Sequence, residues 1–314
     1  MYLGIDLGGT NIAVGLVDAQ CKILKQNSRP TNAPRSYQEI VKDMAELCRE
    51  VTESAGYTMA DIKGIGVGTP GSVESKTGTV VYGNNLDWYN VPLAEELQKH
   101  FPGMPIAVEN DANAAAYGEY MATGGNTDSF VAVTLGTGVG GGIILNKKIF
   151  RGFNGAAGEL GHFTLIHNGE PCTCGKKGCW ESYASVTALI QQTQAAIAEN
   201  PDTLMARYAQ ENGKINGRTA FDAAKAGDSV AQKVVDQYIS YIADGVVSMV
   251  NIFEPEILVI GGGISAEGEY LMAPIRKHVE EFAYSKGLPQ TELRIASLAN
   301  DAGIIGAAMA AVAE

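Results

Sequence analysis

The chain lacks any uninterrupted apolar run of 18 residues, so it offers no candidate transmembrane helix. It has no basic leader with a cleavage site either. The opening run, MYLGIDLG, reads as a strand, which sets the expectation of a cytoplasmic protein. Basic residues are scarce: 23 Lys and Arg stand against 35 Asp and Glu, for a net charge of −12. A surface that acidic argues against a general nucleic-acid binder, leaving room only for a small local basic module. No Pro/Ser-rich tether is present, so any division of the 314 residues into domains must come from chain crossings. That length suffices for two domains or one large one with substantial cores. The first glycine turn is not followed by a helix, which excludes the P-loop and dinucleotide fingerprints.

What is plentiful is glycine, 38 residues, much of it in loops where backbone must come close to a ligand. Residues 2–6 and 12–17 are strand-like and flank Leu7-Gly8-Gly9-Thr10-Asn11. Such a hairpin exposes N–H groups that can hold phosphate; Thr10 adds a hydroxyl, and Asp6 at its mouth is placed to reach Mg2+. A turn that only reverses the chain is the plainer reading. The pattern returns about 128 residues later, however, with strand-like runs at 129–134 and 143–145 around Leu135-Gly136-Thr137-Gly138-Val139-Gly140-Gly141-Gly142. Two hairpins of one design predict a duplicated βββαβα core, with two phosphate-binding turns facing each other across a cleft.

Between the hairpins, Tyr37, Ile40, Val41, Met44, Leu47, Cys48 and Val51 mark one helical face, with Gly56 as a stop. Cys48 and the lone Cys21 read as core. A central strand at 65–68 leads into Thr69-Pro70-Gly71, a turn that can approach a ligand. Asn85, in the polar loop 83–88, either binds a sugar hydroxyl or serves turn chemistry. A strand at 106–108 ends at Glu109-Asn110-Asp111, and 112–121 is Ala-rich and helical. Asp111 is then either an ordinary N-cap or a carboxylate placed to accept a proton from a substrate hydroxyl, with Asn110 beside it to orient that substrate. Residues 183–252 are almost wholly helical, with Val230, Val234, Tyr238, Ile242 and Val246 in one long buried element. A strand at 256–260 is followed by Gly261-Gly262-Gly263, which either packs bare backbone on a base or phosphate or makes a tight turn into a helix at 267–282. A last strand at 293–296 precedes a small-residue helix capped by Asp301.

The stretch 155–182 holds three of the five cysteines. Cys172, Cys174 and Cys179 form C-x-C-x4-C, and with His162 they make a ligand set that can close a tetrahedral Cys3His zinc site. Cys172 and Cys174 are too close for an easy disulfide, and a reactive cysteine would not need three thiols. Four protein ligands leave the metal no open position, so its role is structural. Glu159 lies three residues before His162 and Glu181 two after Cys179. A closed knuckle would hold these carboxylates near one another as acceptors for a polyol's hydroxyls; otherwise both are solvated surface charges.

The run from Asp6 to Thr10, Asn110-Asp111, LGTGVGGG, Glu159-x-x-His162, C-x-C-G-x-x-G-C-x-E and GGG occur in that order across nearly the whole chain. Together they resemble the ROK family, bacterial sugar kinases and sugar-responsive repressors of the actin-like ATPase superfamily, and most of all its glucokinases. The resemblance implies an α/β actin-like ATPase (ribonuclease H-like) duplicated fold with two domains, 1–110 plus 300–314 and 111–299. ATP and sugar would share a cleft that closes on substrate. It implies Asp111 as catalytic base and Asn110, Asp111, Glu159, His162 and Glu181 as sugar contacts, to which the polar loop adds Asn85, with His162 also a metal ligand beside Cys172, Cys174 and Cys179. Asp6, Gly8, Gly9, Thr10, Asn11, Thr137, Gly138, Gly261, Gly262 and Gly263 would hold Mg-ATP.

The implied reaction is phosphorylation of glucose to glucose 6-phosphate, an entry step of glycolysis. An Asp111 of ordinary pKa near ~4 would take the proton late, as the O–P bond forms. A kinase of N-acetylglucosamine, N-acetylmannosamine, mannose or fructose is the competing expectation, followed by a non-catalytic sugar sensor. Family repressors carry an N-terminal helix-turn-helix extension, whereas this chain starts at the first phosphate-loop strand, which favours the kinase. Expected partners are the hexose, ATP and further copies of the chain in a dimer or tetramer, with no nucleic acid and no membrane.

Overall fold

The computed structural model describes residues 1–312. They form two compact units: residues 1–128, 142–158 and the stretch from Ser297 onward in the first, and 129–141 with 159–296 in the second. No helix among the described residues is long and apolar enough to cross a membrane.

In the first unit, β1 (Tyr2–Leu7) pairs antiparallel with β2 (Asn11–Val17), which pairs with the polar edge strand β3 (Ile23–Pro30). Helix α1 (Tyr37–Ser54) starts where the Ser36 hydroxyl accepts from the Glu39 N–H, and it buries the predicted face of Ile40, Val41, Met44, Leu47, Cys48 and Val51. β4 (Ile65–Thr69) returns parallel beside β1, and three short strands follow: β5 (Ser72–Glu74), β6 (Thr79–Gly83) and β7 (Trp88–Val91). These make a separate antiparallel sheet, β5-β6-β7, that the sequence pattern did not show. Helix α2 (Leu93–His100) leads to β8 (Ile106–Asn110), parallel to β4, and directly into α3 (Asp111–Ala122).

The sheet order is β3-β2-β1-β4-β8, and its register aligns Asp6 with Gly68 and Thr69 with Asn110. Three parallel strands therefore deliver Asp6, Thr69 and Asn110 to one sheet edge, the carboxyl end where open α/β sheets place their ligands.

In the second unit β9 (Ser129–Leu135) turns into β10 (Val139–Leu145), and the chain passes back to the first unit between Gly141 and Gly142 before β11 (Lys148–Ile149). Helices α4 (Glu181–Ala184), α5 (Val186–Glu199), α6 (Leu204–Glu211), α7 (Thr219–Lys225) and α8 (Ser229–Phe253) follow. Then come β12 (Ile257–Gly261), α9 (Glu269–Phe282) and β13 (Glu292–Ile295), with β12 parallel to both β9 and β13. The order of this sheet, β11-β10-β9-β12-β13, repeats that of the first strand for strand. The duplication inferred from two glycine turns thus extends to the whole sheet.

The last helix, α10 (Ala302–Ala310), packs on α3 so tightly that a Cβ on Gly306 would overlap the Ala114 carbonyl. The buried Glu119 carboxylate of α3 fastens this contact by accepting from Ser297 N–H (2.8 Å), Ser297 Oγ (3.1 Å) and Leu298 N–H (2.8 Å). Helix α3 therefore belongs to the first unit, although the expected boundary at 110/111 assigned it to the second. Small residues on both helices, rather than a break after Asn110, decide that. Asp301 precedes α10 but its side chain makes no capping bond. Cys21 sits half-exposed in a turn with φ 63°, outside the core, while Cys48 is fully buried. In α8 the buried stripe runs through Ala231, Val235, Tyr238, Ile242 and Val246, so Val230 and Val234 flank it.

Candidate active site

At the edge of the first sheet, the strand-to-helix junction settles which residue caps α3. Asn110 does: its Oδ1 accepts from Ala112 N–H (3.0 Å) and Asn113 N–H (3.1 Å). Its Nδ2 donates to Gly71 O (3.1 Å) and Asp111 Oδ1 (3.0 Å), so both halves of the amide are engaged. Asp111 is the first residue inside the helix, and its Oδ1 shares the Ala112 N–H (2.9 Å) with the Asn110 cap. Burial raises its carboxyl above the usual range, against the lowering effect of hydrogen bonds from Ala112 N–H and Asn110. Asp6 is raised further, to about 6, by burial and then by the charge of Asp111. Two crowded carboxylates of this kind fit a bound cation.

Glu109 is a residue the sequence reading passed over. It is 3% exposed and accepts from Asn110 N–H (2.9 Å), Asn113 Nδ2 (3.2 Å) and Arg151 Nε (2.6 Å). This ion pair, buried on the Glu109 side and half-buried on the Arg151 side, braces the junction that carries Asn110 and Asp111. Its position next to Asn110-Asp111 was the available signal, but nothing local announces a partner 42 residues away.

The first glycine turn ties down the Gly8 and Thr10 carbonyls and leaves two of its amides open. Gly8 N–H donates to Asn11 O (2.8 Å), Thr31 Oγ1 donates to Gly8 O (2.7 Å) and Thr31 N–H to Thr10 O (2.8 Å). The N–H groups of Gly9 and Thr10 have no protein acceptor among the described residues, which suits an anion. Asn85 is exposed, and its backbone packs beside Gly9.

The second turn is built alike. Gly136 O accepts from Val186 N–H (2.8 Å) and Thr137 O from Thr187 Oγ1 (2.7 Å), which leaves the Thr137 and Gly138 N–H groups unspent among the described residues. Gly262, at φ 88°, stacks on the backbone of Leu135 at the head of this turn, a conformation and a proximity only glycine allows. Gly261 and Gly263 flank it.

The cysteine stretch folds into the predicted knuckle, in which Thr164 bridges Cys179 and Pro171 bridges Lys177. Ligand atoms of His162, Cys172, Cys174 and Cys179 all lie within 4.8 Å of one another. Cys174 and Cys179 sulfurs are 3.6 Å apart, and Cys172 Sγ is 3.6 Å from His162 Nδ1. A tetrahedral zinc with bonds of about 2.3 Å to sulfur and 2.0 Å to nitrogen has edges of roughly 3.5 to 3.8 Å, so the donor set fits one metal ion. With Nδ1 turned to the sulfurs, the Nε2 of His162 is left for a second partner. Fully buried Trp180 anchors the knuckle on α8 by donating from Nε1 to Tyr241 O (2.8 Å).

Glu159 and Glu181 do not present a matched pair. Glu159 is exposed and makes no side-chain hydrogen bond among the described residues. Glu181 is half-buried and already engaged: Oε2 accepts from Val139 N–H (3.0 Å), and Oε1 lies 3.8 Å from Cys172 Sγ.

Repeated sheets with glycine turns between their first two strands, and acidic residues at the strand ends, define an α/β protein of the actin-like ATPase fold. The ROK family model matches residues 2–314, and the chain belongs to that family. It is 38% identical over 310 residues to a glucokinase of Thermotoga maritima, covering 98% of this chain and 95% of the relative. Similarity to a glucokinase of Halalkalibacterium halodurans is 37% identity over 307 residues, covering 97% and 93%. Among solved structures, a ROK family glucokinase from Streptomyces griseus in complex with glucose and AMPPNP superposes with a TM-score of 0.80 at 34% identity, covering 100% of this chain and 99% of that one.

Proposed function

We propose that this ATP-dependent hexose kinase acts on glucose and uses Asp111 as its base. The observation that carries the reading is Asp111 itself, a carboxylate on the first residue of α3 beside the Asn110 cap, given a raised proton affinity by burial. The sugar's primary hydroxyl oxygen attacks the γ-phosphorus in line. As the new O–P bond forms, the bond to the β-phosphate oxygen breaks and ADP leaves with that electron pair. The hydroxyl proton passes to Asp111, a better acceptor than an ordinary Asp, though still one that takes the proton late. Asn110 aims the Asp111 carboxylate through its Nδ2, and its place among direct sugar contacts would require it to give up a bond it already makes.

Each unit carries part of the chemistry. In the first, the unspent amides of Gly9 and Thr10 suit a phosphate, and Asp6 would hold Mg2+, which offsets phosphoryl charge when bound. In the second, Thr137 and Gly138 offer the same kind of amides, and Glu159 and His162 Nε2 are open acceptors or donors for sugar hydroxyls. The four knuckle donors would hold zinc, a closed site that fixes the knuckle's shape.

A coupled ADP-release assay over glucose, mannose, N-acetylglucosamine, N-acetylmannosamine and fructose tests this. Glucose should give the highest kcat/KM, and Glu159→Ala should raise the glucose KM by roughly ten- to a hundred-fold with little change for ATP. A clear preference for another hexose would overturn the substrate; no turnover with any hexose would overturn the catalytic reading.

A further inference from the structure

Glu109 spends its two carboxylate oxygens on different segments. Oε1 faces the strand-to-helix junction, accepting from Asn110 N–H (2.9 Å) and Asn113 Nδ2 (3.2 Å), whereas Oε2 accepts from Arg151 Nε (2.6 Å). The two donors at the junction are neutral, and a single amide oxygen would serve them both. The charge of Glu109 is spent on Arg151, and at its 3% exposed end the pair has little water to screen it.

Arg151 is the foot of a small closed loop. Its carbonyl accepts from Ala157 N–H (3.1 Å), and Asn154 Oδ1 accepts from Ala156 N–H (3.2 Å). The far side of this loop is fastened by an independent contact: Gly155, at φ 83°, lies so close to β5 that a Cβ there would stand 2.6 Å from Val73 O. Val73 follows Gly71 by two residues, and Gly71 O takes Asn110 Nδ2 at 3.1 Å. Three links thus close a ring within the first unit: Glu109 to Arg151, Gly155 to Val73, and Gly71 back to Asn110. Directly after the loop comes Glu159.

We propose that Glu109 is a positioning residue whose Oε1 sets the Asn110-Asp111 junction and whose Oε2, through Arg151, holds the loop 151–158 that leads into Glu159. One buried carboxylate then steadies both the proton acceptor and the approach to a sugar-binding segment. The part concerning sugar rests on the kinase reading above, whereas the brace itself does not.

Three variants of the full chain separate the two oxygens. Glu109→Gln keeps an oxygen for the junction and turns an amide NH2 toward Arg151, so it cuts the loop arm alone. Arg151→Met cuts the same arm from the other side and leaves a buried carboxylate without its cation, which should lower the melting temperature; adding Glu109→Gln should restore it. Hydrogen–deuterium exchange is read on each without ligands, together with KM for ATP and for the hexose of highest turnover. Amides of 152–158 should exchange at least about tenfold faster in all three, the loss expected for a charge-assisted hydrogen bond, while those of 110–114 stay slow in Glu109→Gln. In Glu109→Gln the hexose KM should rise about fivefold or more, with kcat changed by less than about threefold and the ATP KM unaltered. The double variant should match Glu109→Gln in exchange and in KM, because both substitutions remove the same bond. A merely structural pair would instead return to wild-type behaviour along with its melting temperature.

Unchanged exchange at 152–158 in Glu109→Gln, faster exchange with an unaltered hexose KM, or a double variant that recovers the wild-type KM would each overturn the proposal. So would a Glu109→Gln kcat that falls as steeply as the KM rises, since both oxygens would then serve the junction. Should Arg151→Met fail to fold, Glu109→Gln and the double variant decide by the same readouts. A wild-type chain that phosphorylates no hexose would overturn the kinase reading and leave exchange to decide the brace: faster at 152–158 upholds it, unchanged overturns it.

Discussion

The carboxylates of Asp6 and Asp111 oppose each other at the carboxyl edge of the first sheet, and after burial it is the charge of Asp111 that holds the Asp6 pKa up near 6. The register that pairs Asp6 with Gly68, and Thr69 with Asn110, creates this neighbourhood.

The first prediction follows from the sign of that shift. Asp6 must be ionised to hold a cation, so kcat/KM should fall as pH drops through about 6. Higher Mg2+ should move the inflection to lower pH, since cation and proton compete. A raised carboxyl pKa also means that the protonated form suits the fold. The stability this gives the metal-free protein is fully present below the unfolded value of 3.8 and is lost as pH rises through about 6. Asp6→Asn should therefore abolish activity yet raise the melting temperature at pH 7.5, by an amount that shrinks toward pH 4. A melting temperature lowered at pH 7.5 would contradict the argument.

For Asp111→Asn the expectation is normal folding, retained sugar binding and a kcat reduced by about a thousandfold, within the range for loss of a general base. Asn110→Ala removes the cap and the aiming bond together. It should destabilise the protein by about 1 kcal/mol and lower kcat more than it raises the glucose KM. Turnover of Asp111→Asn within about tenfold of wild type would leave Asp111 without a role in the chemistry.

Metal analysis should find one zinc per chain, lost in Cys174→Ser. Because the knuckle's shape depends on the ion, exchange should accelerate across residues 159–185 and remain slow in α1 and β1. Protein purified without metal but with a fully protected knuckle would refute the assignment.

Glu119→Ala would leave three donors of Ser297 and Leu298 without their acceptor beneath α10. A loss of about 3 kcal/mol is expected in urea unfolding, against about 1 kcal/mol for Glu119→Gln, which keeps one oxygen. Equal costs for the two would show that the acceptors are not what matters.

The sequence by itself determined the parts whose chemistry is local. A glycine turn between two β runs, a C-x-C-x4-C spacing with a histidine ten residues upstream, and an Ala-rich helix after a strand each declare themselves within a few residues. One turn repeated at about 128 residues was enough to call a duplicated sheet, and the structure repeats the full strand order. The three-stranded sheet was invisible, since strands of three to five residues carry too little alternation to register.

Tertiary structure alone decided how neighbours divide their labour. Asp111 and Asn110 both suit an N-cap by type, and only the folded junction shows that Asn110 takes the N-cap position and Asp111 the first place inside the helix. Glu159 and Glu181 look equivalent by spacing. One is unspent and the other committed to Val139, because the second partner comes from a turn 42 residues away. Glu109 is silent in sequence for the same reason, its partner Arg151 arriving from another segment. Helix α3 reads as the start of a second domain until α10, from the far end of the chain, packs small residues against it. Residue type and local spacing limit which roles a side chain can take; burial and long-range partners, which shift proton affinities and consume donors, select the one it has.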